Sequence, residues 1–184
     1  MADLMLTARN ALPQGEALTL AATRIEVLTM RRLTSLMPGR DAAPLATALQ
    51  KHHGLTLPAP GGRSLREEGE CLWFGRDQYL LIGVAPSPLL SGAATMTDQS
   101  DAWTSVLLQG PLAREVLARL TPLDLRDVAQ PEGATARSEI AHMMGSLTRV
   151  AADGYRLMVF RSMAETLLRD LRETLEAVAA RQAL

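Results

Sequence analysis

Apolar and polar positions change period several times along this 184-residue chain, and each change marks an element. Residues 17–30 are rich in Thr, Ile, Val and Leu and read as one strand, which Met37-Pro38-Gly39 breaks. Asp41 can then cap a helix, because Ala42, Leu45, Ala46 and Leu49 follow at i, i+3, i+4 and i+7 spacing. That helix closes on Lys51-His52-His53-Gly54, since cations in a last turn followed by glycine complement the exposed carbonyls. Leu57-Pro58-Ala59-Pro60-Gly61-Gly62 reads as loop. Cys71–Phe74 and Gln78–Val84 form a predicted hairpin around Gly75-Arg76-Asp77.

Pro86-Ser87-Pro88 and Ser91-Gly92 read as a linker between halves. Beyond it, Ala102–Gln109 is a predicted strand, and Pro111 is placed at a first helical position, where its missing N–H costs nothing. Leu112, Val116, Leu117 and Leu120 make the buried stripe of that helix, and Thr121-Pro122 ends it. Pro131-Glu132-Gly133 is a turn, followed by a long strand with an expected bend at Gly145. Asp153-Gly154 is a tight hairpin turn, and Tyr155–Arg161 returns. The last element is a long helix over Ser162–Ala180, with Leu167, Leu168, Leu171, Leu175 and Val178 on its apolar face. Glu165, Arg169 and Glu173 sit four apart there and form solvated pairs.

A repeat lies inside this order. Cys71-Leu72-Trp73-Phe74-Gly75-Arg76-Asp77-Gln78-Tyr79-Leu80-Leu81 aligns with Leu147-Thr148-Arg149-Val150-Ala151-Ala152-Asp153-Gly154-Tyr155-Arg156-Leu157. Both copies contain Asp-x-Tyr-x-Leu and hold the chain's two tyrosines, and each follows strand, helix and strand. The expected fold class is α+β: two ferredoxin-like β-α-β-β units, about 17–85 and 95–184, packed as one body over residues 1–184 with a C-terminal helix. Neither unit can bury its sheet face alone.

Composition narrows the function classes. A net charge of −1 argues against nucleic acid or an acidic membrane surface as partner. With 47% apolar but only 3% aromatic residues, the core must be built mainly from Leu, Val, Ala and Met. The lone cysteine, Cys71, excludes an internal disulfide and suits a reducing compartment. The first residues carry no basic segment leading into an apolar run, and no window approaches a membrane span, so a soluble, cytoplasmic protein is expected. Lys51 is the only lysine among many arginines. Genome composition accounts for that, or alternatively a preference for the arginine fork at protein interfaces.

The candidate chemistry is sparse. His52 and His53 point in different directions on a helix and cannot form the i, i+4 zinc pair; His142 reads as a satisfied core histidine. Cys71 sits in an apolar strand, where a thiol is inert. Asp98, Ser100 and Asp101 resemble a carboxylate cluster but stand before a strand, where hydrogen-bonded Asx and Ser turns are common. Gly61-Gly62-Arg63-Ser64 lacks the context of a phosphate loop, and Gly110-Pro111 is a simple helix start. Glu67, Glu68 and Glu70 read as a solvated turn. Met143-Met144 point to opposite faces of a strand, either as two core contacts or with one at an interface. No catalytic, cofactor-binding or metal residue is assigned.

Several runs carry a resemblance. Met96-Thr97-Asp98-Gln99-Ser100-Asp101-Ala102-Trp103, Val106-Leu107-Leu108-Gln109-Gly110-Pro111-Leu112-Ala113-Arg114 and Leu120-Thr121-Pro122-Leu123-Asp124-Leu125 resemble the gamma subunit of heterotetrameric sarcosine oxidase. Arg137-Ser138 through His142-Met143, Asp153-Gly154-Tyr155-Arg156 through Phe160-Arg161-Ser162, Leu36-Met37-Pro38 and His53-Gly54 to Leu57-Pro58 extend it over most of the chain. The strand–Gly-Pro–helix core is shared with the folate-binding aminomethyltransferase-like superfamily. The resemblance implies a complex of alpha, beta, gamma and delta subunits that oxidatively demethylates sarcosine to glycine and passes the one-carbon unit to tetrahydrofolate. It places FAD, FMN, NAD and the main folate site in alpha and beta, and zinc in delta. The gamma chain is then non-catalytic, binds no cofactor itself and docks mainly on alpha. The aminomethyltransferase carboxylate that holds the pterin has no secure counterpart; Asp98 and Asp101 are the nearest. The alternatives are the same role in a related N-methyl amino acid dehydrogenase, N-methylglutamate for example, or a free-standing folate-binding protein.

Overall fold

A computed structural model describes residues 9–29 and 31–182. In chain order it has β1 (Gly15–Leu20), β2 (Thr23–Val27), β3 (Leu33–Pro38), α1 (Ala43–His53), β4 (Arg63–Leu65), β5 (Glu70–Gly75) and β6 (Gln78–Ile82). A short 3-10 helix (Pro88–Gly92) leads to β7 (Ala94–Asp98), β8 (Trp103–Gln109), α2 (Ala113–Leu117), β9 (Thr135–Ile140), β10 (Met143–Ala151), β11 (Gly154–Phe160) and α3 (Ala164–Gln182).

The α1 helix, the hairpin of β5 and β6 and the C-terminal helix lie where their patterns place them. Gly54 ends α1 in the left-handed region at φ 64°, as its C-terminal signature requires. Asp41 Oδ1 accepts a hydrogen bond from the amide of Ala43, although Ala42 occupies the cap position. Leu167, Leu168, Leu171, Leu175 and Val178 of α3 are all buried. The strand expected over 17–30 is instead a hairpin, folded at Ala21 (φ 46°) and Ala22 (φ 56°); Met30 lies outside the described residues. The long strand expected before Tyr155 is also a hairpin, turning at Ala141 (φ 47°) and His142 (φ 67°). Positive φ at both central residues is the primed turn that matches strand twist, usually signalled by Asn-Gly. Ala-Ala and Ala-His carry no such signal.

Gly145 makes no bend. It lies within continuous β10 pairing, and a Cβ there would stand 2.8 Å from the Met158 carbonyl oxygen and from Ile140 Cδ1. The expected breaker at Met37-Pro38 closes β3, β4 forms just after the expected loop at 57–62, and β7 runs into the expected polar turn at Asp98. The α2 helix begins after Leu112 rather than at Pro111, which lies in a tight turn closed by Ala113 N–H to Gly110 C=O at 3.0 Å. Gly110 (φ 132°) is needed there, because a Cβ would fall 2.4 Å from the Ala22 carbonyl oxygen.

Two antiparallel sheets result. One has the order β1-β2-β8-β11-β10-β9 and the other β4-β5-β6-β3-β7. Each draws strands from both sides of the Pro88–Gly92 connection: the β1–β2 hairpin joins the C-terminal strands and β7 joins the N-terminal ones. Alternating side chains send the outer faces of the sheets to different helices. Val106, Leu108, Tyr155 and Leu157 pack with α2 and α3, whereas Leu36, Cys71 and Leu81 pack with Leu45 and Leu49 of α1. The inner faces meet through Leu33, Leu72, Phe74, Leu80, Ile82, Trp103 and Met158. The protein is thus layered helix, sheet, sheet, helix, and its candidate site lies in the seam between the sheets.

Candidate functional site between the sheets

Period-two alternation turns Arg156 and Met158 of β11 toward the seam, while Tyr155, Leu157 and Val159 join the helix-side core. Across the seam, Glu70 opens β5 opposite Ile82 of β6. Arg156 reaches over and donates from Nη1 to Glu70 Oε1 and from Nη2 to Oε2, the latter at 3.1 Å. Only 2% of the Glu70 side chain and 9% of the Arg156 side chain is exposed. Arg63 Nη1 stands 3.7 Å and Arg31 Nη1 3.8 Å from the same carboxylate. Three guanidinium groups therefore surround one buried acid. Both carboxylate oxygens are engaged by cations, which makes Glu70 an inter-sheet clasp and not a free base. Glu67 and Glu68 are exposed as expected, but Glu70 is not part of a solvated turn.

Beside this clasp lies a cavity of about 60 Å³, lined by Asn10, Arg31, Trp103, Ser105, Arg156 and Arg161 among others. That is room for a few waters, against roughly 300–1,000 Å³ for a drug-sized ligand, so a pterin does not fit it. Trp103 continues outward from the cavity. Its ring stacks on Phe160 at 4.5 Å between centroids and meets Phe74 edge-on at 5.1 Å. The Arg137 guanidinium of β9 lies 4.3 Å from the Phe74 centroid and 5.0 Å from that of Trp103, a cation–π geometry. Burial against these rings lowers the Arg137 pKa from its ordinary value. Its Nε is buried without a hydrogen-bond partner among the described residues.

The other sequence candidates lie apart from the seam or in structural roles. Asp98 Oδ1 accepts from the Ser100 amide at 2.9 Å and its hydroxyl at 2.6 Å, and these bonds hold the carboxyl below its usual range. Ser100 Oγ in turn accepts from the Leu33 amide at 3.0 Å, which ties the β7 end to β3; Asp101 is exposed. His53 Nε2 accepts from the Ser87 amide at 3.1 Å, and burial followed by the His52 charge lowers its pKa. His142 is a correction: its side chain is 97% exposed at the β9–β10 turn and bonds Glu139 at 2.9 Å. A histidine on a two-residue turn projects away from the core. Cys71 is buried, and its thiol is pushed up to about 12 by desolvation and the neighbouring Glu70. Met143 is buried and Met144 is 55% exposed, so the pair is not two core contacts. Among the described residues no three His, Cys, Asp or Glu side chains come together as metal ligands.

A clue to the clasp stood in the sequence. Arg156 is a charge inside an otherwise apolar strand, between Tyr155 and Leu157, and buried charges require partners. The partner itself, 86 positions earlier, had no sequence signal.

No family model matches the chain, and no curated protein matches its sequence. Its fold nevertheless has close parallels among solved structures. It superposes on a chain of heterotetrameric sarcosine oxidase from Corynebacterium sp. U-96, solved in complex with pyrrole 2-carboxylate, with TM-score 0.77 and 21% identity over 89% of each chain. It also superposes on the glycine cleavage system aminomethyltransferase T from Bartonella henselae, with TM-score 0.59 and 17% identity. That match covers 82% of this chain but only 45% of the transferase, so the chain spans under half of that enzyme. The fold is therefore one held in common with a sarcosine oxidase chain and with part of an aminomethyltransferase.

Proposed function

We propose that this chain is the non-catalytic gamma subunit of a heterotetrameric sarcosine oxidase-type complex, acting in assembly and docking on the alpha subunit. The observation that carries the reading is the extent of the match. The match takes in 89% of this chain and 89% of a chain of that oxidase, but only 45% of the transferase. The engagement of Glu70 by three arginines also favours a scaffold, since it leaves that carboxylate no free oxygen for a pterin. In this reading FAD, FMN, NAD, tetrahydrofolate and zinc belong to the partner subunits, and the reaction is the oxidative demethylation of sarcosine to glycine.

A duplicated unit belongs with the same proposal. Read from β4 and from β9, the two sheets share an order, with β4, β5, β6, β3 and β7 answering to β9, β10, β11, β8 and β2. Trp73 pairs with Tyr79 in one hairpin as Arg149 pairs with Tyr155 in the other, each beside a register shift. These parallels support an ancestral strand–helix–three-strand unit.

Affinity purification of a tagged copy from its host, with mass spectrometry and a visible absorption spectrum, tests the reading. Co-purification with larger flavin-bearing chains is expected. A colourless preparation of this chain alone would overturn it.

A further inference from the structure

The outer end of the seam presents a surface with unusual chemistry. Phe160 is 46% exposed while stacked on Trp103, Met144 is 55% exposed, and Met163 in the turn after β11 is 43% exposed. The β10–β11 register pairs Gly145 with Val159, which places Met144 beside Phe160 on neighbouring strands. Arg137 lies over the same aromatic group. Arg161 follows Phe160 and lines the cavity that Trp103 also lines. Among the described residues neither Arg137 nor Arg161 has a carboxylate within 4.0 Å, although exposed ion pairs form at Arg24, Arg76, Arg114, Arg119, Arg126 and Arg169.

Apolar exposure coincides here with two arginines that lack a carboxylate partner among the described residues, while Glu139, opposite Met144, is engaged by His142. Phenylalanine, methionine and arginine are the types enriched at the cores of protein interfaces. A half-buried guanidinium fixed by ring stacking has lost part of its hydration, so an incoming carboxylate meets a preorganised fork. From this we infer that the Met144–Phe160–Arg137 surface is the docking face for a partner protein chain. That chain places an Asp or Glu carboxylate against Arg137 and apolar side chains on Phe160 and Met144. The inference rests on the subunit reading above and identifies which face of the subunit binds.

The test uses tagged full-length chain recovered from its host as wild type, Arg137→Glu, Phe160→Asp and the remote control Val128→Asp, with thermal unfolding of each. Val128 is 93% exposed, and its neighbour Asp127 bonds Arg149, at the opposite end of β10 from Met144. The expected result is that Arg137→Glu and Phe160→Asp stay folded yet recover at least about tenfold less partner, while Val128→Asp recovers it like wild type. A photo-crosslinking residue at position 144 should attach to a partner peptide containing Asp or Glu. If wild type recovers a stoichiometric partner and both variants recover it equally well, the docking face is wrong and the subunit reading stands. If wild type recovers no partner, the subunit reading itself fails. If a variant does not fold, the crosslink decides: attachment within the chain itself, or none to the partner, overturns the proposal.

Discussion

Arg156 of β11 grips both carboxylate oxygens of Glu70 of β5 across the seam, joining sheets whose strands are 86 positions apart in sequence. A buried pair of this kind is costly to break and less costly to replace as a unit, because removing one partner strands the other charge. Glu70→Leu and Arg156→Met should each destabilise by about 3–5 kcal/mol. Glu70→Leu combined with Arg156→Met should recover part of that loss, because Arg63 and Arg31 also lose their carboxylate. Chemical denaturation of the two singles and the double completes the cycle; additive losses would show that the clasp is not a unit.

The primed turn at Ala141–His142 holds two non-glycine residues at φ 47° and 67°. Residues held so cost of order 1 kcal/mol or more each. Replacing the pair by Asn-Gly should stabilise the protein by about 1–2 kcal/mol and raise Tm by several degrees. His142 is solvent-exposed and Ala141 is only half-buried against the core, so little packing is lost. A fall in Tm would mean that the turn is not primed.

These turns explain how far the sequence could be read. The helices were legible because their stripes and caps are local: Leu45 and Leu49 face the core, and Gly54 stops α1. The hairpin of β5 and β6 was legible from Gly75-Arg76-Asp77. The β1–β2 and β9–β10 hairpins were hidden because Ala21-Ala22 and Ala141-His142 adopt turns imposed by sheet pairing and not by residue preference. The seam was illegible for a related reason. Glu70 resembles Glu67 and Glu68 in sequence, and only the approach of Arg156 from the other sheet distinguishes it.

Cys71 gives a prediction about pH. Its thiol is held at about 12 in the folded protein, above the ordinary 9.0, by burial and the Glu70 charge. The unfolded chain therefore loses this proton first. Stability supported by the neutral thiol is intact below pH 9 and declines as pH rises beyond it, by at most about 1.4 kcal/mol per pH unit. Alkylation of Cys71 at pH 8 should proceed only at the rate of opening. Labelling as fast as a free thiol would contradict its burial.

At acid pH the Asp127 cluster should matter. Its carboxyl is held low by hydrogen bonds from Arg149 and then Arg114, with Arg149 Nη1 at 2.7 Å. A depressed folded pKa contributes stability above the unfolded value near 3.8, which is lost as pH falls through the folded value. Asp127→Asn should flatten part of the stability decline below about pH 4. Identical acid denaturation curves for the two proteins would rule out this contribution.

The most direct test of the account is native mass spectrometry of the tagged chain recovered from its host. One copy of this 19.9 kDa chain is expected in a complex with larger flavin-bearing chains, with sarcosine-dependent reduction of their flavin. A monodisperse 19.9 kDa species with no bound chains and no flavin would contradict it.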